Sequence, residues 1–542
     1  MLAAALILYG GRIWTGDPER PFAEAIAIEG DRILAVGTDA EIERFRAKET
    51  RAIALEGRLA VPGLIDAHVH LLEGGDELLA PDLRSARSEE EFARRLGEAA
   101  SKAPPGTWLS SGAWDHENWP GARLPRREVL DRHVPEHPVF IPRLDGHMAV
   151  ANSLALRIAG VTKETPDPPG GEIVRDPATG EPEGVLKDAA MDLVARKIPP
   201  WDEAGRRERA LAALRHAASL GITSLHDMGT TPEALGTLED LDRRGELTAR
   251  IACYVSSTGF AEPPRPGARS PFLKVAGVKA FADGSLGSST ALFFEPYLDS
   301  AGRPGGGASE NRGLAQMDLS AGGDLDRLLA EALRSGFQPA VHAIGDRAIR
   351  AVLDACERLG PRSSAARPRV EHAQHIHPDD LARFARLGAV ASAQPYHAAD
   401  DGRWAEKRIG RARCETSYAF RDLLDRGARL AFGSDWPVAP LSPLAGIEAA
   451  VTRRTLDGRN PGGWIPRQKI SLEEALRAYT AGAAFAAFDE DRLGALRPGA
   501  LADIALLAED IFSIDPGRLG GVRVDLTIAG GRVVWEAGRP KS

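Results

Sequence analysis

The chain has 542 residues, 43% of them hydrophobic and 27% charged, with a formal net charge of −9. This is the composition of a soluble globular protein, too long for one small core. It carries no Lys/Arg-rich run and no apolar run long enough to span a bilayer, so neither nucleic acid nor a membrane is an expected partner.

Residues 1–60 read as short strands separated by turn signals, as in "ALILYGGRIWTGD" and "AEAIAIEGDRILAVG". The same texture returns after residue 494. The spacing predicts a small β-sandwich built from both ends, residues 1–60 and 487–542. Between them, residues 61–486 alternate short apolar runs with Ala/Leu/Arg-rich helical stretches. The runs are 60–68, 221–227, 250–255, 275–281, 338–346, 369–374, 389–395 and 429–437. Helices are predicted over 205–219, 324–335, 346–359, 378–386 and 417–426. Repeated strand–helix alternation implies a parallel sheet, and eight such strands fit a (β/α)8 TIM-type barrel. Residues 74–205 are too long for a barrel connection and are expected to form an inserted subdomain on the substrate side. A helix over 471–485, opened by Ser471 and Glu474 as a capping box, is expected to close the barrel.

The three cysteines, Cys253, Cys356 and Cys414, are far apart and form no CxxC pair. They argue against a disulfide framework and against a Cys-type zinc site, and they fit a cytoplasmic location.

Six polar residues fall at the ends of five separate strands. His68 and His70 in "DAHVH" share one face of an extended segment. His342 ends "QPAVH", His372 ends "RVEH", Asp435 ends "RLAFGSD", and Lys279 sits in "VAGVKAF". The C-terminal strand ends of such a barrel form its catalytic mouth. Neutral imidazoles with a carboxylate suit a divalent ion such as zinc. Lys279 alone reads as a snorkelling side chain, its stem buried and its head in water or paired. Strand alternation places Val275, Gly277, Lys279 and Phe281 on one face, with Gly277 leaving room beside the lysine.

Together "VPGLIDAHVH", the strand-borne lysine, single histidines on two later strands and "GSDWP" resemble the amidohydrolase superfamily. "WDHENW", "DGHMAVANS", "KAFADGSLGSSTA", "HAIGDRA" and "EHAQ" resemble its YtcJ-like branch, which includes N-substituted formamide deformylases. The resemblance implies a metal-dependent hydrolase of C–N amide or amide-like bonds, with one or two divalent ions per chain. It implies that His68 and His70 bind one ion, His342 and His372 a second, and that Lys279 is N6-carboxylated and bridges them. Asp435 would touch the first ion and serve as the catalytic general base. His116, His147, His226, Asp283, His397 and Trp436 are candidate substrate-binding residues, with His226 placed either at the pocket or behind it. The expected partner is a small-molecule amide, and a homodimer is expected. A hydrolytic deaminase of the same superfamily and a non-catalytic regulatory barrel are the alternatives.

Overall fold

The computed structural model describes residues 3–257, 262, 264–298 and 311–538. Eight parallel strands lie side by side in chain order: β1 (Leu64–Val69), β2 (Ile222–Thr230), β3 (Arg250–Ser256), β4 (Leu273–Phe281), β5 (Gln338–Ala343), β6 (Arg369–His372), β7 (Val390–Ala393) and β8 (Arg429–Phe432). Helices Glu203–Ser219, Pro232–Arg243, Asp324–Arg334, Asp346–Leu359 and Pro443–Thr452 pack their apolar faces on the outward side chains of these strands. The result is the (β/α)8 barrel expected from the alternation.

The seam between β8 and β1 closes beyond the end of β8. Asp435 N donates to His68 O at 2.7 Å, and His70 N donates to Trp436 O at 2.8 Å. The Asp66 carboxylate accepts from the backbone N–H of both His68 and Ser434. Gly433 permits this approach, because a Cβ there would lie 2.5 Å from His68 N. The closing hydrogen bonds therefore tie together the very residues that carry the HxH pair and Asp435.

The barrel interior is not purely apolar. Arg369 is fully buried, pairs with Glu371 at 2.7 Å, and donates to Ala67 O and Ser392 Oγ. Its guanidinium lies over the Tyr254 ring, 4.6 Å from the centroid, and Tyr254 Oη donates to Gln338. A register irregularity between β3 and β4 at Cys253/Tyr254 alters the expected alternation. Val275 turns outward to the helix layer, while Ala276 joins Tyr254 in the interior. Gly277 leaves room for the Tyr254 ring and the Gln338 carbonyl, not for the site above.

Strands from the two chain ends meet in one six-stranded sheet, in which Ile504–Leu507 pairs with Leu59–Pro62. A second, four-stranded sheet uses residues before 55 alone. The run 60–68 belongs to two bodies: it ends the sandwich strand at Pro62 and starts β1 at Leu64. Gly63 makes the crossing, since a Cβ there would meet Thr223 at 2.1 Å. Within 74–205 lies an antiparallel sheet, Gly171–Arg175, Pro182–Asp188, Met148–Ala151 and Phe140–Pro142, with cores of its own. The predicted helix 471–485 does carry the Ser471–Glu474 capping box, but it is interrupted by a π-type turn over Ala478–Gly482. There Gly482 passes within contact of the Leu430 carbonyl of β8.

Candidate active site

His68 is fully buried at the end of β1. Its Nδ1 is 2.6 Å from Glu371 Oε2, which assigns that ring proton to the carboxylate contact and leaves the Nε2 lone pair free. Nε2 faces Asp435 Oδ1 at 3.3 Å and Lys279 Nζ at 3.4 Å. His70 Nε2 also lies 3.3 Å from Asp435 Oδ1. His68, His70 and Asp435 thus converge as three ligand atoms of the kind a divalent cation takes.

His372 ends β6. Along this strand Arg369 and Glu371 take the interior positions, so plain alternation would turn His372 outward. A left-handed backbone at His372 (φ 72°), continued at Ala373 (φ 45°), re-aims it into the mouth. Asp435 is likewise left-handed (φ 61°). His372 Nδ1 is held by Gln394 Oε1 at 2.8 Å. The His342 ring lies 4.5 Å from that of His372, and the His68 ring 4.8 Å. His342 Nε2 contacts the Gly284 carbonyl at 3.1 Å. A second convergent group is His372, His397 and Asp435.

Electrostatics favour the protonation states that ligands need at every group but His70, whose pKa burial would lower but the neighbouring Asp435 carboxylate raises. Burial, reinforced by the neighbouring Lys279, lowers the His68 pKa to about 4. Burial also holds His342 and His372 well below the usual histidine value. Asp435 is pushed up by burial, yet His68, His372 and His70 hold it well below the ordinary carboxylate range. Lys279 is 1% exposed, and burial lowers its pKa to about 8 against the opposing pull of Glu371 and Asp435. These groups fit a cation: three imidazoles held neutral, His70 beside the Asp435 carboxylate, and an amine shifted towards neutrality.

A cavity of about 410 Å³ opens above this cluster, lined by His70, Lys279, His342, His372 and Asp435 from the barrel. His147, from the insertion, lines it too, with Nδ1 on Asp188 Oδ1 at 2.7 Å and its ring 4.9 Å from that of His342. His397 lines it from the helix Pro395–Asp401 after β7.

Four of the predicted substrate residues sit elsewhere. His116 is buried behind the wall, accepting from Arg143 Nε at 3.3 Å. His226 lies inside the barrel below the site, 3.0 Å from Arg369. Asp283 accepts from the backbone N–H groups of Leu292, Ile344 and Gly345, so it pins the loops after β4 and β5. Trp436 packs against Gly74, where a Cβ would meet its ring at 2.3 Å, and against His216.

Residues not expected from sequence are Glu371, Arg369, Gln394 and Arg143. Arg143 is buried in the wall between Asp115 at 2.9 Å and Asp145 at 2.7 Å. Glu371 lay inside the quoted "EHAQ"; its place next to His372 on a barrel strand was the available signal.

A parallel barrel with this cluster at its C-terminal mouth defines a metal-dependent hydrolase. The chain belongs to the amidohydrolase family, whose model matches residues 51–535. It is 40% identical to the Arabidopsis thaliana protein LONG AFTER FAR-RED 3, over 95% of this chain and 89% of that one. It is 27% identical to the N-substituted formamide deformylase of Arthrobacter pascens, over 98% of each. A solved metal-dependent hydrolase of Pyrococcus horikoshii, itself uncharacterized, aligns over 95% of this chain and 99% of its own, at 28% identity with a TM-score of 0.75.

Proposed function

We propose that the chain hydrolyses a C–N amide or amide-like bond, of the N-substituted formamide or N-acyl type, at the mouth of its barrel. The observation that carries this reading is the cluster at the cavity floor: His68, His70 and Asp435 converge as ligand atoms, Lys279 Nζ lies 3.4 Å from His68 Nε2, and the His342 ring lies 4.5 Å from that of His372. The likeness to a formamide deformylase along both full lengths supports the bond class.

His68, His70 and Asp435 would hold one divalent ion, zinc by the chemistry of the donors. Lys279, His342 and His372 would hold a second, with Lys279 carboxylated on Nζ. An ion held there would supply a water of lowered pKa, about 7, and a charge to polarise a carbonyl. Lys279 is suited to CO2 addition because burial makes its neutral amine accessible near neutral pH. Asp435, ionised and at the cavity floor, takes a proton from the attacking water and passes it to the leaving nitrogen. Water adds to the carbonyl carbon, the C–N bond breaks, and the products are a carboxylate and an amine. Trp201, Trp404 and Phe281 line the cavity and offer apolar surface to a bulky N-substituent.

The test is a panel of N-substituted formamides and N-acyl amines with the zinc-loaded protein. Turnover that rises with the bulk of the N-substituent and disappears in Lys279→Ala supports the reading. An inactive protein across the whole panel rejects it.

A further inference from the structure

We propose that His397 is a catalytic residue: a neutral imidazole whose Nε2–H donates a hydrogen bond to the carbonyl oxygen of the scissile group as that oxygen gains negative charge. The proposal rests on the hydrolase reading above and assigns to that site a fixed donor which the barrel strands do not supply.

His397 stands in the first turn of the helix Pro395–Asp401, not on a strand. It is 8% exposed and lines the cavity. Its Nδ1 faces the amide nitrogen of Gln374 at 3.4 Å, and because that nitrogen only donates, the pairing is met by the tautomer with its proton on Nε2. Nε2 is buried and has no hydrogen-bond partner among the described residues. An unmet buried N–H forfeits its hydration with nothing in return, a penalty a structural imidazole has no reason to carry. A substrate oxygen would meet it.

Asp435 Oδ2 lies 3.9 Å from this nitrogen. That separation is beyond hydrogen-bond reach, so Asp435 does not satisfy the imidazole N–H. The His372 ring runs parallel to that of His397, with 9° between the planes and the centroids 6.4 Å apart. In this assignment Asp435 and His397 act on different atoms of the same event. The carboxylate takes the proton of the attacking water, and the imidazole N–H receives the charge that forms on the carbonyl oxygen. With its proton on Nε2, His397 is a donor here and not a metal ligand, although it lies within reach of His372 and Asp435.

The experiment uses zinc-loaded protein labelled with [15N]histidine, compared with His397→Gln and His397→Phe. The resonance lost in His397→Gln should show the neutral Nε2–H tautomer with and without zinc, and both variants should keep the wild-type zinc content. On the best N-substituted formamide of the panel, His397→Phe should lower kcat about 100-fold with little change in KM, and His397→Gln should recover part of that loss. Loss of an ion in either variant, a metal-shifted Nε2 resonance, or kcat in His397→Phe within about threefold of wild type would overturn the proposal. A wild type inactive on the panel would reject the hydrolase reading, while the nitrogen spectra and zinc content would still decide between donor and ligand.

Discussion

Replacing Lys279 with methionine separates the stability of this fold from its chemistry. The lysine is 1% exposed, and its pKa falls from 10.5 to about 8 because burial disfavours the ammonium. A depression of that size means the charged side chain costs the folded, metal-free protein roughly 3 kcal/mol at pH 7. Methionine fills similar space with no charge. It forfeits the contacts with His68 Nε2 at 3.4 Å and with the Phe281 ring at 4.8 Å. Allowing about 1 kcal/mol for the lost hydrogen bond leaves an expected gain near 2 kcal/mol. The sign with pH follows from the same shift. Below pH 8 both folded and unfolded lysines are charged and the cost is complete. Between about 8 and 10.5 only the unfolded lysine is charged, so the cost fades as pH rises. Urea denaturation of chelator-treated protein at pH 7 and pH 10 is the assay. Lys279→Met should unfold later than wild type at pH 7, with the gap narrowing at pH 10, and it should bind less zinc. A variant less stable than wild type at pH 7 would refute the claim that this lysine is held at a loss for function.

Three other outcomes follow from the same geometry. Asp435→Asn should lower kcat by about 10²- to 10⁴-fold, the usual contribution of a general base, and retain metal by elemental analysis; near-normal turnover would remove Asp435 from proton transfer. Glu371→Gln leaves Arg369 buried without its ion pair and loosens His68. It should cost about 3–5 kcal/mol in stability and 10- to 100-fold in metal affinity, read by denaturation and by competition with a chelator. The metal-free protein should also lose stability on acidification. Unfolded His68 takes a proton near pH 6.5 and folded His68 only near 4, so up to about 3 kcal/mol is lost across that window, and a flat stability profile from pH 7 to 4.5 would contradict the burial of this imidazole.

The barrel was legible because five of its eight strands carry chemically conspicuous residues near their ends and helices recur between the strands. What escaped was set by three-dimensional context. Arg369 and Glu371 look like surface charges in a short strand, yet they occupy the barrel interior and orient His68. The left-handed turn at His372 breaks the alternation that sequence reading relies on. Loop histidines are ambiguous for a different reason. His147 and His116 both belong to the insertion, but only its folded sheet puts the first into the cavity and the second behind Arg143. Gly277, which in sequence leaves room beside Lys279, and Trp436, a candidate substrate contact, both serve close packing, against Tyr254 and Gly74.

The metal content of the purified protein, measured by elemental analysis for the wild type and for Lys279→Ala, tests the centre most directly. Two divalent ions per wild-type chain, with the lysine variant losing at least one, is the expected result. A single ion that Lys279→Ala retains would remove the lysine from the centre and reopen the deaminase alternative. Protein that carries no metal and takes up none on addition would contradict a hydrolytic centre at His68, His70, Lys279, His342, His372 and Asp435.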